Sequence, residues 1–298
     1  MLYDYSLVEG VYEHNKKNII DTEKIDICIL NYEYPNNLRD NIILSKKNIT
    51  SDSYYTIFNI YKNEEESKMI RDICTEFDVS LVEIQIKDRE KYVVLQRLGQ
   101  KLNYIYNKYC KERKCKYFGL IQQDVFIVNK FDPINLLNKY PCLGVLLSCP
   151  PQKFSDFVDL EYAKKIWYLW EGFFFLKTEH FEKYTWNANN ESLLYYNKER
   201  PYGECGIHSY YEILFKFDKD KIKEIFEYQY PIRHQIRNSL YDMSNVIHQE
   251  STRLRLEYID DYKLFFHGGG CGGFQGELKK EIDIKNEILS SFLQNFIN

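Results

Sequence analysis

The chain has 298 residues, 44% of them hydrophobic and 28% charged, with a formal net charge of −4. That supplies enough apolar material for one sizeable core and enough charge for a wetted surface. It excludes the strong basic excess expected of a protein that lives on nucleic-acid phosphates. Apolar runs such as Gly172 to Leu176 are too short to span a bilayer, and MLYDYSLVEG has no basic region leading into an apolar segment, so neither an integral membrane segment nor a signal peptide is expected. Ala occurs only at Ala163 and Ala188, against 27 Tyr and 19 Phe, which marks an AT-rich coding genome such as that of a large virus or an AT-rich microbe. Eight Cys are scattered without a C-x-x-C pair; they read as reduced core thiols in a cytoplasmic setting, the host cytoplasm or virion if the chain is viral.

Asp26 to Leu30 (DICIL) predicts a first strand, ended by Pro35 and followed by a polar helix to about Lys46. Tyr54 to Tyr61 predicts a second strand. Glu64 to Phe77 predicts a helix, with acids crowding its first turn and Met69, Ile70, Ile73 and Phe77 on one face. Val79 to Ile86 is a third strand. Leu95, Leu98, Leu102, Ile105 and Tyr109 then form one apolar stripe of a helix. The basic cluster Lys108 to Lys116 reads as the solvated end of that helix. Tyr117 to Ile121 and Leu143 to Leu147 are further strands. Alternating strands and helices imply βαβ units and a mostly parallel sheet, in which ligands bind beyond the C-terminal strand ends. Farther on, Trp167 to Leu176 is strongly aromatic, Phe215 to Ile225 reads as a charged helix, and Leu264 to His267 is a short strand running into GGGCGG. Glu277 to Phe296 predicts a closing amphipathic helix. No linker or repeat interrupts the chain, so residues 1–298 read as a single domain.

Gln122, Gln123 and Asp124 follow the YFGLI strand directly. A carboxylate there suits a hard divalent cation; a turn-capping Asp is the competing reading. His267 precedes five glycines within six positions, which either let backbone approach a ligand or form a surface loop. This is neither a Rossmann fingerprint nor a P-loop. Glu204 stands at a turn before a helix, as a cap or a general base. Glu171 lies within WYLWEGFFFL, a run that is either core or an aromatic sugar platform. No hydrolase, zincin or kinase signature is present.

Taken together, these pieces resemble the GT-A class of nucleotide-sugar glycosyltransferases, family-2-like. In RLGQKLNYIYNKYCKERKCKYFGLIQQDVFIV, Leu102-Asn103 and Asp124-Val125-Phe126 match a helix carrying Leu-Asn and a strand ending in Asp-x-Asp followed by Val/Ile-Phe. WEGFFFLKTEHF is similar to the acceptor-side strand. PYGECGIHSYYEI stands where the family has an Asp-Thr-Gly turn, and FFHGGG resembles the C-terminal segment whose His completes a metal site. The resemblance implies a GT-A-type α/β fold with a mostly parallel central sheet and flanking helices. Its Rossmann-like nucleotide-binding half would cover about residues 25–150, an acceptor half about 151–275, and a closing helix 276–298. It implies transfer from a nucleotide-diphosphate sugar to the hydroxyl of a glycan, protein or lipid, assisted by Mn²⁺ or Mg²⁺. Asp124 and His267 would hold the metal. Asn31, Tyr32 and Glu33 would receive the base, with Asn63 and Asp88 as further base or ribose contacts, and Asn103 and Gln123 would line the donor pocket. Glu204 would be the base, with Glu171 as the alternative. Two positions depart from the family: Gln122 replaces the first Asp of Asp-x-Asp, and Glu204 replaces the Asp of the turn. A non-catalytic nucleotide-sugar or glycan-binding relative and a sugar-phosphate nucleotidyltransferase are the alternatives.

Overall fold

The computed structural model describes residues 6–14, 23–32, 34–61, 63–87, 94–139, 142–148, 167–178, 195–197, 200–201, 232–233, 253–259, 262–269 and 279–298. In chain order these give β1 (Val8–His14), β2 (Ile25–Asn31), α1 (Pro35–Asn48), β3 (Ser53–Ile60), α2 (Glu64–Glu76) and β4 (Ser80–Ile86). There follow α3 (Val94–Ile105), a π-helical turn (Tyr106–Cys110), α4 (Lys111–Arg113), β5 (Tyr117–Gln122), β6 (Val125–Ile127), α5 (Pro133–Lys139), β7 (Cys142–Ser148) and β8 (Trp167–Lys177). Short strands β9 (Tyr195–Asn197), β10 (Arg200–Pro201) and β11 (Ile232–Arg233) precede β12 (Arg253–Ile259), β13 (Tyr262–Gly269) and a C-terminal helix α6 (Lys279–Ile297).

The main sheet is seven-stranded, in the order β1-β4-β3-β2-β5-β8-β7. β4, β3, β2 and β5 are mutually parallel. β1 and β8 run against them, and β7 pairs with β8. This is the expected α/β architecture of a mostly parallel sheet with flanking helices. The LGVLL strand does not join β5; the aromatic strand β8 inserts between them, antiparallel to both. Gly119 makes that insertion possible. It lies opposite Phe175, whose ring would stand 2.4 Å from a Cβ at position 119.

Local chemistry explains the boundaries. Pro35 opens α1 at its first turn, where the missing N–H is no loss, and Lys46 and Lys47 suit its C-terminal dipole. Asn63 caps α2 by accepting from the Glu66 N–H at 2.9 Å, with Glu64, Glu65 and Glu66 in the first turn. Left-handed Asp78 (φ 48°) and Lys114 (φ 57°) end α2 and α4.

β2 is buried along its whole length, because both faces of the sheet are covered. Alternation divides its side chains. Ile25, Ile27 and Ile29 join a core with Leu38 and Ile42 of α1 and Ile70 of α2. Cys28 and Leu30 join the opposite core with Leu102, Ile105 and Tyr109 of the α3–π segment. A third, smaller cluster packs α6 (Leu289, Leu293) on Leu44 of α1 and Phe126 of β6. The smaller sheet, in the order β11-β12-β13-β6, is antiparallel throughout. No described helix is long and apolar enough to cross a membrane.

Arg113 corrects an expectation. Within the basic cluster Lys108, Lys111, Lys114 and Lys116 are exposed, but Arg113 is buried. Arg113 stands four residues after Tyr109 and is buried with it, its guanidinium 5.7 Å from the Tyr109 ring centroid and bonded to Asp26.

Candidate functional site at the C-terminal rim of the sheet

The order of the parallel strands reverses at β2. From it the chain steps outward to β3 and β4 by way of α1 and α2, then returns over the other face through α3 to β5. β2 and β5 are therefore neighbours far apart in sequence. The segments that leave their C-terminal ends, Asn31-Tyr32 and Gln122-Gln123-Asp124, meet at a topological switch point, where open α/β sheets form a crevice.

These segments are tied together. The Gln123 N–H donates to the Leu30 carbonyl at 3.1 Å. Its side chain grips the next backbone unit from both sides: the Tyr32 N–H donates to Oε1 at 2.5 Å, and Nε2 donates to the Tyr32 carbonyl at 3.2 Å. Tyr32 then meets a buried lysine, for Lys101 Nζ donates to its hydroxyl at 2.7 Å and lies 4.2 Å from its ring centroid. One strand over, Asn31 Nδ2 donates to Asn59 Oδ1 at 2.8 Å; both amides are buried. Asn31 Oδ1 is buried and accepts no hydrogen bond among the described residues. A buried acceptor left so costs roughly 1–3 kcal/mol, which an N–H from a ligand would relieve.

Asp124 is half-buried in the turn between β5 and β6, with Oδ1 shielded from solvent. The β6–β13 ladder sets His267 directly opposite Val125, so its backbone lies one residue along from Asp124 although 143 positions separate the two in sequence (267 − 124). Glu171 belongs to the same rim at the level of backbone: Phe173 lies opposite Ile121, and β8 reaches Glu171 beyond the end of β5.

Gln123 is buried, and its amide holds the Tyr32 loop. Asn63 commits its side-chain oxygen to capping α2. Asn103 is buried in α3, where its carbonyl accepts from Asn107 Nδ2 at 2.8 Å. Glu33, Asp88, Glu204 and the glycines from Gly270 to Gly273 lie outside the described residues, as does the Phe215–Ile225 segment. Gly268 and Gly269 continue β13.

The opposite, N-terminal end of the strands holds the one group of potential metal-binding side chains among the described residues. Asp26, Cys28 and Cys110 offer donor atoms within 4.8 Å of one another. Arg113 Nη1 already donates to Asp26 Oδ1 at 2.8 Å and to Thr56 Oγ1 at 2.5 Å. Burial pushes the thiols of Cys28 and Cys110 up, so both stay protonated, and burial raises Asp26 against the pull of Arg113. The cluster is electrically balanced by the guanidinium. Its sulfur donors are also too soft for Mg²⁺ or Mn²⁺.

Sequence reading passed over Asn41, Asn59, Lys101 and the inward turn of Arg113. A signal for Asn41 was present. Asn37, Asn41, Ser45 and Asn48 recur with helical spacing, a polar stripe on a helix that is buried on both flanks.

No family model matches the chain, and no curated protein matches it. Among solved structures the chain is similar to core-mannan synthase A from Aspergillus fumigatus in its Mn/GDP form. The identity is 11% and the TM-score 0.41, over 69% of this chain and 75% of that one. A likeness so distant bears on neither activity nor ligands.

Proposed function

We propose that the chain is a glycosyltransferase of GT-A type that moves a sugar from a nucleotide-diphosphate donor to an acceptor hydroxyl. The observation that carries this reading is the meeting of Asp124 and the His267 strand beside the crevice between β2 and β5. The donor set suits the implied cation: a carboxylate with an imidazole favours Mn²⁺ over Mg²⁺, which prefers oxygen ligands throughout. Asp124 and His267 would hold it, and once bound it would neutralise charge on the departing diphosphate.

The other roles belong to the chain itself. Asn31 and Tyr32 receive the nucleotide, and the open acceptor on Asn31 Oδ1 suits a base N–H. Gln123 keeps that loop in place, and Lys101 adds positive charge behind it. In the reaction the bond from the anomeric carbon to the diphosphate oxygen breaks and one to the acceptor oxygen forms. The hydroxyl proton goes to a carboxylate, Glu204 or Glu171, and the nucleoside diphosphate leaves.

The test is a screen of nucleotide sugars with Mn²⁺, scored by nucleoside-diphosphate release. Release from at least one donor, lost in Asp124→Ala, is expected. No release from any donor, together with no metal-dependent binding of nucleoside diphosphates by calorimetry, overturns the reading. Gln122 motivates a second one, since a neutral amide binds a hard cation less well than a carboxylate. Metal-dependent binding without release would select a non-catalytic nucleotide-sugar-binding protein.

A further inference from the structure

The turn that presents Asp124, built from Gln122, Gln123 and Asp124, contains neither glycine nor proline. The geometry points to Asn41 of α1 as the positioning residue that holds this turn. Asn41 is fully buried, and its Nδ2 donates to the carbonyls of Gln122 at 3.0 Å and Val125 at 2.7 Å, the two that flank Gln123-Asp124. One amide nitrogen with two hydrogens thus bridges both ends of the turn. Ser45 Oγ donates to Asn41 Oδ1 at 3.2 Å, which orients the amide with its donors toward the turn. One helical step farther, Asn48 Nδ2 donates to the Ile127 carbonyl at 2.7 Å and secures the following strand.

The helix carrying this stripe is itself braced from behind by α6. Asn37 Nδ2 donates to Asn286 Oδ1 at 2.7 Å, and Ser290 Oγ donates to Asp40 Oδ2 at 2.6 Å. Lys47 Nζ donates to the Phe296 and Ile297 carbonyls at 3.0 and 2.8 Å, at the negative end of that helix. α6 fixes α1, and α1 fixes the turn. Moving Asp124 along the rim requires breaking at least one of the two bonds from Asn41.

The consequence for turnover rests on the glycosyltransferase reading, whereas hold of the turn does not, so the experiment reads the two separately. Hydrogen exchange of the Gln123 amide, which donates to Leu30, is compared in full-length wild type, Asn41→Ala and Ser45→Ala. Donor turnover and Mn²⁺–nucleoside diphosphate affinity are measured on the same proteins. Exchange should rise about tenfold in Asn41→Ala and less in Ser45→Ala, and kcat should fall by about 10- to 100-fold with a smaller rise in donor KM, as expected for a displaced group. If Asn41→Ala does not fold, Ser45→Ala reports the same direction. Unchanged exchange overturns the inference. Faster exchange with unchanged kcat and metal affinity also overturns it, leaving Asn41 a purely structural role. If wild type binds no nucleotide and releases none, the glycosyltransferase reading fails alone, and faster exchange in Asn41→Ala still upholds Asn41 as the holder of the turn.

Discussion

The two ends of the parallel strands spend their polar groups differently. At the N-terminal end Asp26, Arg113 and Thr56 form a buried cluster that carries its own counter-charge, although Asp26 Oδ2 and Arg113 Nη2 have no hydrogen-bond partner among the described residues. At the C-terminal rim the buried polar side chains are mostly neutral amides, and what Asn41 and Gln123 bind is backbone. Amides used this way hold loop shape without adding charge. The ionisable groups at the rim, Asp124 and Lys101, stand among these amides. The lesson is that a cluster of ligand-type atoms can be part of the foundation, whereas a site is recognised by polar groups that fix loops at a crevice.

That contrast breaks most readily at Asp124. Asp124→Ala should lower turnover by about 10²–10³-fold while leaving thermal stability near that of wild type. A large fall in melting temperature would instead make Asp124 part of the foundation. Arg113→Met should do the reverse. It strands a buried carboxylate and should cost about 3–5 kcal/mol of stability in denaturant titrations, with Asp26→Asn added to it recovering part of the loss. Nucleotide affinity of the folded fraction should not change; if it does, the two ends are coupled.

Asn63 sharpens the boundary of the site. As a helix cap, Asn63→Ala should cost about 1 kcal/mol in stability and leave nucleotide affinity intact. An affinity loss without a stability loss would return it to the list of ligand contacts. The smallest effect is expected at Asp40, whose carboxyl burial raises above the usual 3.8, against the Ser290 hydrogen bond and the Arg39 charge. A raised folded pKa means its favourable contribution is complete below 3.8 and is lost as pH rises through the higher value. Asp40→Asn should therefore melt slightly higher than wild type at neutral pH, and the difference should close in acid. A gap that widens in acid would contradict the burial argument.

Much of the fold was legible because it depends on near-neighbour patterns. DICIL, YYTIFNIY, the acid-led helix at Glu64 and the YFGLI strand all occur close to their expected bounds. Each carries its own periodicity and its own stop signals. β1, by contrast, is largely exposed and lacks a clean alternation, and β6 is three residues long, too short for any period to show. The apolar stripe that begins at Leu95 was legible through Tyr109, which is buried with Leu102 and Ile105. Arg113, four residues on, did not show because it lies among exposed lysines, and a run of cations reads as a solvated helix end.

By itself the sequence determined which segments become strands and helices, and it determined that a polar triplet with a carboxylate would end the strand at Ile121. Only the tertiary structure decided that the aromatic strand separates the LGVLL strand from β5, that the strand carrying His267 pairs with the one that follows Asp124, and that Asn41 of α1 bonds both ends of the turn. Hydrophobic period and capping are properties of adjacent residues and can be read along the chain. Strand order and long-range hydrogen bonds depend on which of many compatible surfaces bury one another, and that choice is made only when the whole core closes.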